Sequence, residues 1–150
     1  MIRKAASRDV KQIQEVINKY AKQDLLLPRS LNYIYENLRD YFVYEEGGKI
    51  CGTCALHITW EDLAEVKSLA VDRKKHKKGI GAALLHACMA EARTLGIKKL
   101  FVLTYIPEFF RRHGFRKISK DKLPHKIWGE CISCVKFPDC NEEPLMLELK

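Results

Sequence analysis

The residues best suited to chemistry lie in Leu69-Ala-Val-Asp-Arg-Lys-Lys-His-Lys-Lys-Gly-Ile-Gly-Ala-Ala-Leu-Leu85. A short apolar strand runs into a basic turn, and the turn opens onto two glycines and an apolar helix. The first amides of a helix have no partner within it, so a strand-turn-helix junction aims several N–H groups at one point. Gly79 and Gly81 carry no Cβ, which lets an anion come close to that backbone. The helix dipole adds partial positive charge, and Arg73, Lys74, Lys75, Lys77 and Lys78 add formal charge. The run reads as a cradle for a diphosphate. It is not a P-loop, which needs a Gly-Lys-Ser/Thr end. Nor is it the dinucleotide fingerprint, because Leu84 stands where the third glycine belongs. A plain basic loop with a glycine-softened helix start would share some of these residues; the strand before and helix after favour the anion site.

A second cluster is Cys131, Cys134 and Cys140 with His125 upstream. Three thiolates and an imidazole can make a Cys3His zinc site, so zinc is one expectation for the tail and packed or surface thiols the other. Cys51 and Cys54 form a Cys-x-x-Cys within a strand-like run. Residues three apart on a strand point to opposite faces, so these thiols should diverge into packing. Cys88 falls on the apolar face of a helix and reads as core.

The elements that must position these groups follow from periodicity and turn residues. Met1–Lys4 reads as a strand. Ser7 is placed as the cap of a helix carrying Val10, Ile13, Ile17 and Tyr20 on one face. The chain breaks at 25–30, and Ser30 starts a second helix through Leu31, Ile34 and Leu38. Gly47-Gly48 joins strands 41–46 and 49–58 as a hairpin. A strand over 63–71 leads into the cradle and a helix from 79 to about 95, ended by Gly96. Lys99–Thr104 reads as a buried strand, and a short helix runs from Pro107 to Gly114. Strands at 115–118 and 145–149 follow, with an irregular stretch at 121–143. The fold class is α/β: one domain over residues 1–150, with a mixed central sheet flanked by helices.

The 150 residues carry 47% hydrophobic and 31% charged residues with a net charge of +8, the profile of a globular protein with an anionic partner. No apolar run approaches the ~20 residues of a membrane span, and Met1–Arg8 lacks the apolar core of a secretory signal. A cytoplasmic location and no membrane partner are therefore expected. A nucleic-acid-binding module would also suit the charge. It lacks a recognition-helix or stacking pattern and leaves Gly79-Ile-Gly81 unexplained, so no nucleic-acid partner is expected.

This order of elements resembles the GCN5-related N-acetyltransferases (GNAT). The motifs that carry the resemblance are Leu69-Ala-Val-Asp72, the basic Gly-x-Gly helix and Phe109-Phe-Arg-Arg-His-Gly-Phe115. Leu27-Pro-Arg-Ser30, Leu103-Thr-Tyr-Ile-Pro-Glu-Phe-Phe110 and Leu123-Pro-His-Lys-Ile-Trp128 resemble, more narrowly, the short bacterial amino-acid N-acetyltransferases that make N-acetylglutamate in arginine biosynthesis. The resemblance implies acetyl-CoA as co-substrate and direct transfer of its acetyl group to an amine in a ternary complex. L-glutamate is the expected acceptor; a protein amine or another small amine is the alternative. A homodimer is compatible with it.

By the same resemblance, the amides of His76, Lys77, Lys78, Gly79, Ile80, Gly81 and Ala82 would hold the pyrophosphate, His76 standing where the family uses Arg or Gln. Leu69, Ala70 and Val71 would pair with the pantetheine arm as an added strand, and Phe110 would contact the coenzyme. Phe110 also occupies the position of the family's acid Tyr, which leaves Tyr105 as the substitute. Glu65 is the implied general base, weighed against an exposed strand residue. Arg29, as a bidentate carboxylate partner, joins Ser30, Lys67 and Arg112 in the expected substrate set.

Overall fold

The computed structural model describes residues 1–23, 26–75, 78–119 and 142–149. The elements are β1 (Ile2–Lys4), α1 (Val10–Ala21), α2 (Leu31–Glu36), β2 (Tyr41–Glu46), β3 (Lys49–Trp60), β4 (Leu63–Val71), α3 (Ile80–Thr94), β5 (Lys99–Thr104), α4 (Pro107–Arg112), β6 (Arg116–Lys117) and β7 (Glu143–Glu148). The strands form one sheet in the order β1-β2-β3-β4-β5-β7-β6, antiparallel throughout except for the parallel pair β4–β5.

Each face of the sheet carries its own core. α3 buries Ile80, Leu84, Leu85, Cys88 and Ala92 against Cys54, Leu56, Ala64, Val66 and Val71. α1 buries Val10, Ile13, Val16 and Ile17, most of them packing with Ile34, Tyr41, Val43, Ile50 and Ala55 on the opposite face. A sheet covered on both sides explains why β3 and β4 are almost continuously buried rather than alternating. It also explains the thiols: Cys54 belongs to the α3-side core with Cys88, and their contact, together with burial, pushes the Cys54 thiol up.

Local signals account for most boundaries. Gly47 and Gly48 both have positive φ, 58° and 78°, as a tight hairpin turn with the right twist requires. Ser30 Oγ accepts from the Tyr33 amide at 3.0 Å and starts α2. Ser7, in contrast, does not cap α1. It opens a 3-10 turn at Ser7–Asp9, and the α-helix begins only at Val10. Asp9 stands at the position before α1 without capping it: its carboxylate turns back, accepting from the Ala6 amide at 2.7 Å and from two guanidinium nitrogens of Arg3, at 2.7 and 3.0 Å. Arg3 holds the Asp9 carboxyl below its ordinary range.

Two irregularities shape the middle of the sheet. β4 pairs with β5 only through Leu63↔Lys99, Ala64↔Leu100 and Glu65↔Phe101. Beyond Glu65, β4 runs on to Val71 without a β5 partner, so the two strands part like the arms of a V. The register of β3 with β4 also shifts between Thr53 and Ala55. Ser68 lies in that bulge with φ of 56°, the left-handed region that non-glycine residues seldom adopt. Leu69 and Val71 therefore pack with Ala64 and Val66 against α3, although the spacing between the two pairs is odd.

Candidate active site

The bulge divides β4 into two working parts. Downstream, the edge facing the V carries the outward backbone groups of Val71. The Tyr20 hydroxyl, from α1, donates to the Val71 carbonyl and accepts from the Val71 amide, the latter at 3.4 Å. Strand alternation then turns the Ala70 backbone toward β3, where it registers with Thr53. Ala70 is thus not an edge residue, whereas Val71 turns its backbone to the edge, where Tyr20 engages it. A cavity of about 340 Å³ opens beside this edge, lined by Val16, Tyr20, Val71, Lys19, Arg73 and Lys74 among others. Tyr20 was read from the sequence as one more apolar helix position. Nothing in its spacing reports that its hydroxyl reaches a strand 51 residues away.

The strand then turns into α3. Gly79 caps the helix with φ of 75°, and the Ala83 amide makes the first helical bond to its carbonyl at 3.0 Å. The amides of Ile80, Gly81 and Ala82 precede that bond and point out of the helix start, the geometry an anion needs. Gly79 supplies conformation, and Gly81 supplies clearance: a Cβ there would only touch the Phe109 ring at 3.6 Å. The Ile80 side chain is core, so only its amide is available. His76 and Lys77 lie outside the described residues. Phe110, expected at the coenzyme, is a core residue: it is 2% exposed and meets Phe109 and Phe115 edge-on.

Upstream of the bulge, Glu65 and Lys67 project to the other face, under α2. Both are buried, with side-chain exposures of 8% and 6%, and their charged ends are 4.0 Å apart. Glu65 is therefore not an exposed strand residue. Cross-strand register gathers a polar set around them: Tyr41, Ala55 and Lys67 form one row across β2, β3 and β4, and His57, Glu65 and Phe101 the next. Ala55 leaves room between Tyr41 and Lys67. Burial pushes the Tyr41 phenol up to about 12, with Ser68 beside its hydroxyl. His57 Nδ1 meets Asp40 Oδ2 at 2.6 Å.

Arg29 closes this pocket from above. The loop before α2 is tied to α1 by Gln14 Nε2 donating to the Arg29 carbonyl (3.1 Å) and the Arg29 amide donating to Asn18 Oδ1 (3.3 Å). Its guanidinium lies 4.5 Å from the Tyr33 ring centroid, and Lys67 Nζ is 5.5 Å from the same ring. Arg29 Nε and the Tyr33 hydroxyl are buried, and neither has a hydrogen-bond partner among the described residues. Buried donors of this kind carry a desolvation cost unless something fills the site. A carboxylate would satisfy them.

The remaining expected site residues fare differently. Ser30 spends its hydroxyl oxygen on the α2 cap. Arg112 is exposed at the end of α4 next to His113, while Arg111 is compensated by Glu108 and Glu143. The second cation near Arg29 is thus Lys67 rather than the α4 arginines. Tyr105 is half-buried just past β5, on the arm of the V opposite Val71. His125, Cys131, Cys134 and Cys140 lie outside the described residues; among the described residues no group of three or more metal-ligating side chains occurs. No helix among the described residues is long and apolar enough to cross a membrane.

Comparison with known proteins agrees with this geometry. An acetyltransferase (GNAT) domain profile matches residues 37–117. An uncharacterized N-acetyltransferase of Chlorobaculum tepidum is 37% identical over 141 residues, covering 94% of this chain and 91% of that one. An amino-acid acetyltransferase of Mycobacterium tuberculosis is 35% identical over 133 residues, 87% of this chain and 76% of the relative. The crystal structure of Rv2747 from M. tuberculosis, solved with CoA, superimposes with a TM-score of 0.86 at 32% identity, covering 100% of this chain and 99% of that one. N-acetylglutamate synthase from Neisseria gonorrhoeae, complexed with coenzyme A and N-acetyl-glutamate, gives a TM-score of 0.92 at 30% identity; the match covers 100% of this chain but 35% of the larger protein. The chain, with its parted β4 and β5 and glycine-capped α3, belongs to the acetyltransferase (GNAT) family and is an acetyl-CoA-dependent N-acetyltransferase.

Proposed function

We propose that the protein transfers the acetyl group of acetyl-CoA to the α-amine of an amino acid with a second carboxylate, most closely L-glutamate, so forming N-acetylglutamate as in arginine biosynthesis. The observation that carries this reading is the buried Arg29 Nε without a partner, facing a site that also holds Lys67. Two cations over one aromatic ring suit a doubly anionic acceptor, and a guanidinium fork suits a carboxylate. The relatives named as amino-acid acetyltransferases and the N-acetylglutamate synthase fold support the same choice.

In this reading the diphosphate of acetyl-CoA rests on the amides at the start of α3, and the pantetheine arm adds to the β4 edge at Leu69 and Val71. The thioester then lies where β4 and β5 part, within reach of the Glu65 side of the strand. The acceptor arrives as an ammonium and must lose a proton before it can attack. Glu65 is the general base, with the Lys67 ammonium 4.0 Å away. The amine attacks the thioester carbonyl and the tetrahedral intermediate collapses with cleavage of the C–S bond. Tyr105, on the β5 arm, is the acid for the departing thiolate. Since a thiol's ordinary pKa is only ~8.5, this step asks little of it.

The test is a thiol-release assay with acetyl-CoA across the twenty amino acids. Glutamate should give the highest kcat/KM, with neutral amino acids at least about tenfold lower, as expected from losing one charge-assisted hydrogen bond. Equal rates with neutral and acidic acceptors would overturn the assignment of glutamate.

A further inference from the structure

The reaction releases one proton per turnover, and the base that first receives it is closed in. The acceptor nitrogen carries three protons as an ammonium and one as the product amide. One of the two lost goes to the base before attack, and the other restores the proton that Tyr105 gives to the thiolate as the C–S bond breaks. The first must reach solvent before the next cycle. Glu65 has a side-chain exposure of only 8%, and a bound acceptor and thioester would cover it further.

Directly across the strand pair, His57 is the register partner of Glu65. Residues so paired hold their Cβ atoms roughly 4.5–5.5 Å apart on one face of the sheet. The His57 side chain is 34% exposed, so the residue that stands opposite the buried carboxylate reaches water. Its Nδ1 is engaged by Asp40 Oδ2 at 2.6 Å. That contact fixes the ring and leaves Nε2 to accept and release a proton, while Asp40 compensates the charge the ring gains. The acidic and basic groups gathered on this face are Asp40 from the turn before β2, Tyr41 from β2, Glu65 and Lys67 from β4, and Arg29 and Tyr33 from the α2 region.

We infer that His57, oriented by Asp40, is a proton-relay residue that takes the acceptor's proton from Glu65 and delivers it to solvent. In the relay step the Glu65 carboxyl O–H bond breaks and a His57 Nε2–H bond forms; that proton then passes to water or buffer, and both side chains return to their starting states. The inference rests on the assignment of Glu65 as base and extends it to the exit route.

The experiment compares His57→Gln, His57→Ala and Glu65→Gln at saturating acetyl-CoA and acceptor. His57→Gln should lower kcat about tenfold or more, within the range known for acid–base groups, with both KM values within about twofold of wild type. In His57→Ala, added imidazole should raise kcat with concentration, and wild type should not respond. A structural tie between Asp40 and β3 would not produce that rescue. If His57→Gln keeps kcat within about twofold while Glu65→Gln is inactive, the relay is refuted and the base stands. A loss in His57→Ala without imidazole rescue also refutes the relay, reducing the contact to a structural one. If Glu65→Gln keeps full activity, the base assignment fails and the relay with it.

Discussion

The guanidinium of Arg29 stacks 4.5 Å from the ring centroid of Tyr33, one turn further along the chain, with its Nε buried and unbonded among the described residues. The ring and the ties to Gln14 and Asn18 hold the cation in place before any acceptor arrives, so little ordering cost remains at binding. Arg29→Ala should raise the acceptor KM by about 10–100-fold, the value of one hydrogen bond to a charged group, and leave the acetyl-CoA KM within about twofold. Initial-rate kinetics varying each substrate in turn would show the split. An equal rise in both constants would take Arg29 out of the acceptor site.

Glu65→Gln keeps size and hydrogen-bonding shape while removing the base. A fall in kcat of about 10²–10⁴ is expected, with loss of the acid limb of the pH–rate profile. A profile that keeps its acid limb would move the base to another group or to water.

At the start of α3, Gly79 and Gly81 should respond differently to the same change. Gly79 has φ of 75°, whereas a Cβ at Gly81 meets only an ordinary contact with Phe109. Gly79→Val should weaken CoA binding and lower the melting temperature, since a β-branched residue is strained at positive φ. Gly81→Val should weaken CoA binding with a smaller effect on melting, because the obstruction lies in the path of the diphosphate. Calorimetric titration with CoA, paired with thermal melts, separates the two. Undiminished affinity in both variants would remove the cradle.

Arg3 and Asp9 make stability depend on acid. Asp9 is depressed below its ordinary 3.8, chiefly by the Arg3 hydrogen bonds. A carboxyl depressed in the folded state contributes fully above its unfolded value, and the contribution is lost as pH falls through the lower folded value. Arg3→Ala should therefore cost on the order of 2 kcal/mol near neutrality and progressively less below about pH 3.8. Urea melts of both proteins across that range would reveal the convergence. A constant difference would mean the pair contributes through packing instead.

Much of the coenzyme side was legible in the chain itself, because the cradle is local: the strand over 63–71, the basic turn, the glycines and the helix to 94 are consecutive. The acceptor side was not. Tyr41, His57 and Lys67 come together only through the registers of β2 with β3 and β3 with β4, and Arg29 and Tyr33 through the ties of the loop before α2 to α1; alternation says which face a residue takes but not who stands opposite. Phe110 sits in the core, a burial its place in the motif does not report. Ser7 does not cap α1 because the helix begins only after Asp9, whose carboxylate turns back to Arg3, six residues earlier.

The left-handed kink at Ser68 has a consequence for how this strand can vary. Without the extra residue, the faces of β4 would swap beyond position 67: Leu69 and Val71 would leave the α3 core, and their outward backbone groups would turn back toward β3. One inserted amino acid thus lets a single ribbon turn side chains to the acceptor at one end and an outward main chain to the donor at the other. Shortening it by one residue should disable the donor edge while Glu65 and Lys67 keep their places on the acceptor face.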